Sequence, residues 1–404
     1  MSTTIERHVG AAGPDRERRI RAESRIFRSP WTRYGAILLV VLVVVFPLSV
    51  GDPFLISLGT TIGIFSVGAI GLNVINGYAG QISMAQPLFL AVGAFTAVGI
   101  GAQLNLPLPV WLIASAVTGG VAGLVVAPFA LRLKGVYQIV LGLGLIYIGY
   151  FVFVNWRSLT GGNVGISAPV NMTIGPLDFG KLQIGNLLYT YQQGLFIIVW
   201  LVVAVCMFLV HNLVRSSVGR SIIAIRDSEL AARVVGVNTN RRLIGGYILS
   251  SALGGLAGAL YIAQLRYASI EQFGLEMALQ FIIIVTVGGL ASAWGPVIGS
   301  AVICAIPLLA GKYANLMPFI KPDSAAPDGE WGIPAGQFSV VVYGVLLILI
   351  LLFEPKGLSD LLSRGGRAVW RLVSRSRRNT AVEKNTAVED TTVEESTADE
   401  KKAE

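Results

Sequence analysis

RSSVGRSIIAIRDSELAARVVG, running from Arg215 to Gly236, is a charged amphipathic stretch set between two long apolar runs at 191–213 and 243–264. Apolar runs of about 20 residues have the length of a membrane-spanning helix. The stretch therefore reads as an insert that leaves the membrane and returns. Within it, Glu229-x-Ala231-Ala232-x-x-x-Gly236 spaces small residues at helical intervals. The spacing predicts a helix over about 227–237 whose small-residue face seats in a cleft on a soluble partner. A solvated linker is the ordinary reading of a lone charged loop, and the rest of the chain has to decide between them.

Of 404 residues, 54% are hydrophobic and only 13% charged. Soluble domains carry roughly 25% charged residues, so the composition places the chain among integral membrane proteins. The 47 glycines agree, because membrane helices use Gly for close packing. Runs of spanning length fall near 34–50, 54–76, 81–103, 109–131, 136–155, 191–213, 243–264, 277–291, 295–314 and 337–353. The fold class expected is an all-α polytopic helical bundle of about ten transmembrane spans. Only short Gly-rich connectors separate the runs at 77–80 and 288–295, so helices broken or re-entrant there are expected. Because these junctions sit at comparable places early and late in the chain, they also hint at an inverted repeat.

The formal charge of +8 is not spread evenly. Eight Arg lie within 1–33, six Arg within 212–242 and seven Lys or Arg within 355–380, whereas 156–190 holds only Arg157 and Lys181. This is the positive-inside pattern. It predicts a multi-pass protein of the cell membrane with both termini in the cytoplasm and the loops 156–190 and 312–336 outside. Nucleic-acid binding is not implied; the basic flanks suit contact with membrane lipid headgroups. The run 34–50 follows about thirty polar residues and lacks a small-x-small cleavage site, so it reads as an uncleaved first span. The domain reading is a basic cytoplasmic tail at 1–33, a transmembrane domain at 34–355 with the insert at 214–242, and a tail at 356–404 that is basic and then acidic. Both tails have too little apolar surface to offset the entropy of ordering and are expected to be disordered.

No catalytic or metal constellation is visible. Cys206 and Cys304 lie in apolar runs, and His8 and His211 have no ligand cluster. Acids and bases are nearly absent from the spans, which argues against a proton- or ion-driven transporter. Uncharged polar residues are the better candidates for a translocation pathway: Asn73, Asn76, Gln81, Ser83 and Gln86 around the first junction, with Gln280 and Thr286 as weaker ones. A small solute crossing there needs hydrogen-bonding groups and few fixed charges. The competing reading is that these amides bridge helices or satisfy the backbone of a broken helix. Gly119/Gly123, Gly254/Gly258 and Gly295/Gly299 recur every four residues and read as helix-packing faces.

The chain resembles the permease subunits of branched-chain amino acid ABC transporters, the Liv-type uptake systems. The resemblance rests on NGYAGQISMAQPLFLAVGAFT (76–96), LRLKGVYQ (131–138), TGGNVGIS (160–167) and SVGRSIIAIRDSELAARVVGVN (217–238). It continues through SALGGLAGALY (251–261), VGGLASAWGPVIGSAVI (287–303) and FEPKGLS (353–359). Their order and spacing hold over about 35–360. The chain departs at Ala85, at Gln138-Ile139 and at Ala291, where the family usually has Gly, Phe-Ala and Gly. No G-x-x-x-x-G-K-[ST] loop, which would cradle phosphates, occurs, so the resemblance implies ATP bound by a separate ATPase subunit and no cofactor in this chain. It also implies a second, homologous permease subunit and an extracytoplasmic solute-binding protein. Arg226, Asp227, Glu229, Ala231, Ala232 and Gly236 would couple to the ATPase, the small residues seating the helix and the charges orienting it. The expected activity is import of branched-chain or other hydrophobic amino acids. A permease of the same superfamily for urea, a short amide or a sugar is the alternative, and a secondary transporter without an ATPase is the third reading.

Overall fold

The structure, a computed structural model, describes residues 52–133, 135–174 and 190–312, with short isolated pieces between 177 and 188 and beyond 320. The expected spans at 34–50 and 337–353, the loop 312–336 and both tails fall outside the described residues, apart from those isolated pieces.

Helix α1 (Pro53–Asn73) continues into a wide π turn at Val74–Tyr78, and α2 (Gln86–Ala97) ends in a similar one at Val98–Gln103. Then follow α3 (Leu108–Ala130), α4 (Val136–Asn155), α5 (Tyr191–Arg215), the short α6 (Ser217–Asp227) and α7 (Glu229–Val234), and α8 (Thr239–Leu265). The hairpin of α9 (Leu275–Gly288) and α10 (Gly295–Lys312) completes the described bundle. Six helices, α1 to α5 and α8, are long and apolar enough to cross a membrane, and α9 and α10 are shorter apolar helices. Among the described residues these eight account for eight of the ten apolar runs. One boundary moves: the run expected to span from 81 becomes helical only at Gln86, because Gly80 turns left-handed (φ 68°) and 81–85 is not helical.

Successive long helices alternate direction, so the bundle has two distinct ends. At one end lie α6, α7 and the junctions 79–85 and 289–294. At the other, Ile166–Ser167 pairs antiparallel with Tyr267–Ala268. There the Trp111 indole donates to the Asn171 carbonyl (2.7 Å), and the Tyr191 hydroxyl donates to the Ala263 carbonyl (2.7 Å). Asp52 caps α1 by accepting from the Phe54 amide (3.0 Å) and meets Lys312, the last residue of α10, at 2.9 Å. That ammonium holds the Asp52 carboxyl below its ordinary pKa, although a pair this exposed adds little stability.

Helix α8 is the hub, packing against α1, α2 and α3. Its contact face is made of small residues. A Cβ at Gly258 would lie 1.9 Å from the Leu90 carbonyl oxygen of α2, and one at Gly255 would lie 2.2 Å from the Ser115 carbonyl oxygen of α3. From the opposite side, a Cβ at Gly93 would meet the Gly255 carbonyl at 2.1 Å and one at Gly123 the Ser251 hydroxyl at 1.8 Å. Backbone thus meets backbone across three helices, which side chains larger than hydrogen would prevent. The Gly295/Gly299 pair does the same between α9 and α10, where a Cβ at Gly299 would sit 2.0 Å from the Ile284 carbonyl.

Overpacking a close contact of this kind costs about 1–3 kcal/mol or more. Gly258→Val is therefore expected to lower the melting temperature in detergent by several degrees and to reduce membrane abundance. Gly245→Val, on the same helix with open space around its Cβ position, is expected to stay near the parent value.

Candidate functional site

The insert folds as two short helices set by their caps. Ser216 opens α6 by accepting from the Gly219 amide (3.3 Å), and Ser228 opens α7 by accepting from the Ala231 amide (3.3 Å). Ser228 itself is extended (φ −159°, ψ 108°), so the helix expected over about 227–237 is shorter and runs only from Glu229 to Val234. Helix α6 turns Gly219, Ile222 and Ile225 inward. Helix α7 ends in a left-handed Gly236 (φ 87°), with nothing within 4 Å of its Cβ position. Gly236 serves the turn and makes no close approach within the chain.

The side chains of α7 point otherwise than the small-residue pattern suggested. Ala232 is buried within the chain, while Ala231 is exposed. Glu229 pairs with Arg233 one turn on (2.5 Å), and the Arg233 Nε donates to the Thr239 hydroxyl (3.2 Å). The surface that faces away from the bundle is apolar: Leu230, Val234 and Val235 are 76%, 82% and 83% exposed. These three residues were not singled out from the sequence. The signal was present in their spacing, since large apolar side chains on a charged insert have no reason to face water unless something covers them.

Arg226 and Asp227 close α6. The Arg226 side chain lies over Gly80, where a Cβ would come within 2.9 Å of the Arg226 Cγ. The insert therefore rests directly on the first junction, and α6 also packs against the π turn at Val74–Tyr78. That turn is held by amides. The Asn76 Oδ1 accepts from the Ser83 N–H (3.0 Å) and its Nδ2 donates to the Ser83 carbonyl (3.4 Å), pinning the non-helical segment. The Ser83 hydroxyl accepts from the Ala85 amide (3.3 Å). Gly142 of α4 lies against Met84 and Ala85, shielding this backbone as irregular segments at membrane depth require.

Asn73 does something different. Its Oδ1 accepts from the Ala291 N–H and its Nδ2 donates to the Ser292 carbonyl, both at 2.9 Å, across some two hundred residues of chain. The two junctions thus touch, with a Cβ at Gly77 falling 2.6 Å from the Ala291 nitrogen. Since both lie at the same end of the bundle, they are not the mirror-placed partners of an inverted repeat. Ala291 is left-handed (φ 58°), a conformation costing an alanine roughly 1–2 kcal/mol. Gln86 is fully buried and donates to the Gly68 carbonyl of α1 (2.9 Å), and its Oε1 has no partner among the described residues. Gln81, Gln280 and Thr286 are half-buried, and no partner is recorded for their side chains among the described residues. Gln280 lies two turns of α9 away from Thr286 and apart from the first-junction cluster.

A bundle of apolar helices closed by glycine contacts, carrying a capped insert and two tied junctions at one end, matches a known group. Residues 54–351 match the family described as "Branched-chain amino acid transport system / permease component". The chain belongs to this family. The permease is 26% identical over 335 residues to the high-affinity branched-chain amino acid transport system permease protein LivM of Escherichia coli K12, covering 78% of this chain and 74% of that one. It is 24% identical over 314 residues to LivH of the same organism, a permease protein named for the same system, covering 75% and 92%. A shorter match, 30% identical over 172 residues and 42% of each chain, is to the fructose import permease protein FrcC of Rhizobium meliloti.

The orientation of α7 makes a testable contrast within the permease. Ala232→Arg forces a charge into the packed side of α7 and is expected to unfold the insert, seen as rapid amide exchange and proteolysis at 217–237. Ala231→Arg, one residue away on the exposed side, is expected to leave exchange unchanged.

Proposed function

We propose that this permease is the membrane-spanning subunit of an ABC importer for branched-chain or other hydrophobic amino acids, driven by a separate ATPase that docks on α7. The observation that carries the proposal is the exposed apolar trio Leu230, Val234 and Val235 on the insert of a chain that has no phosphate-cradling loop. Docking interfaces rely on a few well-packed apolar residues at their centre, and this trio supplies them, with Glu229, Arg226 and Asp227 as a polar rim. ATP is bound by the partner. LivM and LivH carry the same system name in one organism, which supports pairing with a second permease, and a solute-binding protein completes the assembly on the outer face. The fructose reading is the weaker one, because that resemblance spans 42% of either chain against 78% of this chain for LivM.

The ten-span reading adds 34–50 and 337–353 to the eight described helices on the length of their apolar runs, and the charge asymmetry puts both termini in the cytoplasm. Of the pathway candidates, Gln81, Gln280 and Thr286 have amide or hydroxyl groups left to meet a solute. Asn73, Asn76 and Ser83 are taken up in holding backbone.

Two experiments test this reading. Leu230→Glu combined with Val235→Glu leaves the permease inserted and is expected to lower ATPase co-purification and ATP-driven leucine uptake at least tenfold. Unchanged co-purification from those chains would remove the docking role of α7. Reporter fusions are expected to read outside at Gly162 and inside at Ser228 and Arg375; an insert reading outside would sink the coupling proposal with it.

A further inference from the structure

We infer that Asn73 is the positioning residue that makes the two broken segments of the bundle move as one unit with the insert. The inference rests on the transport reading above and goes beyond it in naming how the insert reaches the membrane core.

Three contacts in series make the link. The Arg226 side chain at the end of α6 lies over the left-handed Gly80, so a shift of the insert presses on the first junction. That junction hangs from the π turn, whose Ala79 and Gln81 amides donate to the Val74 and Ile75 carbonyls at 3.1 and 3.0 Å. Asn73, the residue just before the turn, reaches across to the second junction with both of its amide atoms. It is 2% exposed, and its carboxamide is spent on the Ala291 N–H and the Ser292 carbonyl.

The far end of this link is a turn held in a costly left-handed conformation at Ala291. Ala291 sits in the left-handed region, which an alanine adopts when its surroundings hold it there. The hydrogen bond from its N–H to the Asn73 Oδ1 is a holding contact, and Gly77 leaves the room for it: a Cβ there would come 2.1 Å from that same oxygen. Released from Asn73, Ala291 relaxes to a right-handed conformation, and the turn between α9 and α10 re-forms. Ser292 accepts from the Gly295 amide at the start of α10 (3.2 Å), so the change passes into the α10 helix. An energetic link of this type needs an element with two states that both sites bias, and the 289–294 turn is that element.

The test uses the complete complex of permease, partner permease, ATPase and solute-binding protein in vesicles. Leucine uptake and ATP hydrolysis are measured on the same samples. With Asn73→Ala, leucine transported per ATP hydrolysed is expected to fall at least tenfold through the maximal rate, with KM for leucine unchanged. Gly77→Ala, whose Cβ would crowd both the Asn73 oxygen and the Ala291 nitrogen, is expected to do the same. Adding Ala291→Gly to Asn73→Ala is expected to leave the coupling low, since glycine removes the strain of the left-handed turn but does not restore the bridge between the junctions. That result separates the bridge from mere support of the turn, and the unchanged KM separates it from contact with the solute. A raised KM, uptake and hydrolysis falling in proportion, or full rescue by Ala291→Gly would overturn the inference. So would failure of both single variants to accumulate, which would make Asn73 a residue of folding alone. If the parent complex shows no ATP-driven leucine uptake, it is the transport reading that fails.

Discussion

Everything in this bundle depends on how closely α8 approaches α2 and α3. In lipid, helices gain nothing from hiding apolar surface from water, so association rests on van der Waals contact and on hydrogen bonds between helices. Ser251, Gly254, Gly255 and Gly258 bring the backbone of α8 against Leu90, Gly93, Ser115, Gly119 and Gly123. The Ser115 hydroxyl donates to the Gly93 carbonyl (2.9 Å), tying α3 to α2 at the same level. Larger residues are displaced to the flanks, where Phe65 stacks on Phe281 and Phe95 on Phe153. The outward faces of α3 and α4, with Val117, Val121, Phe129, Tyr147 and Phe151 exposed, are left for lipid or for a neighbouring subunit.

That central contact fixes where the polar groups sit. Once α8 is seated, Gln86 at the start of α2 is enclosed between Gly68, Gly71 and Gly254, and among the described residues its amide meets the Gly68 carbonyl alone. The seven polar candidates therefore divide by what the packing leaves them. Asn73, Asn76 and Ser83 are drawn onto backbone groups that broken helices would otherwise leave unpaired, a buried cost of about 1–3 kcal/mol for each group, while Gln86 spends its N–H on the Gly68 carbonyl within α1. Gln81, Gln280 and Thr286 are not so engaged among the described residues.

The parts legible in the sequence were those with a local period. Apolar runs gave six long helices and the α9–α10 hairpin to within a few residues, and the Gly-x-x-x-Gly pairs named faces that the structure does bring into contact. The junctions at 77–80 and 288–295 were visible as breaks, but their meeting was not, because Asn73 and Ala291 are far apart in sequence and nothing local marks them as partners. The insert misled for another reason. Small residues at helical spacing suggested a docking face at Ala231 and Ala232, yet a helix as short as α7 has no long stripe to set its phase. The cap at Ser228 and the packing of α6 set it instead, turning Ala232 inward and leaving Leu230, Val234 and Val235 outward.

The two kinds of contact also differ in how they respond to movement. A glycine face fitted against a facing backbone has a discrete register, and sliding it by part of a turn brings carbonyls to within 2 to 3 Å of Cβ positions that neighbouring residues do fill. The close contacts of α8 for this reason oppose sliding along its length. A side-chain amide bonded to backbone can exchange one partner for another at a net difference of about 0.5–1.5 kcal/mol per bond. Such bonds tie 73–83 to itself and to 291–292, and the first of these segments lies against α6. A shift of the insert is therefore met by exchange of these bonds, with the close glycine contacts as the frame against which it is made.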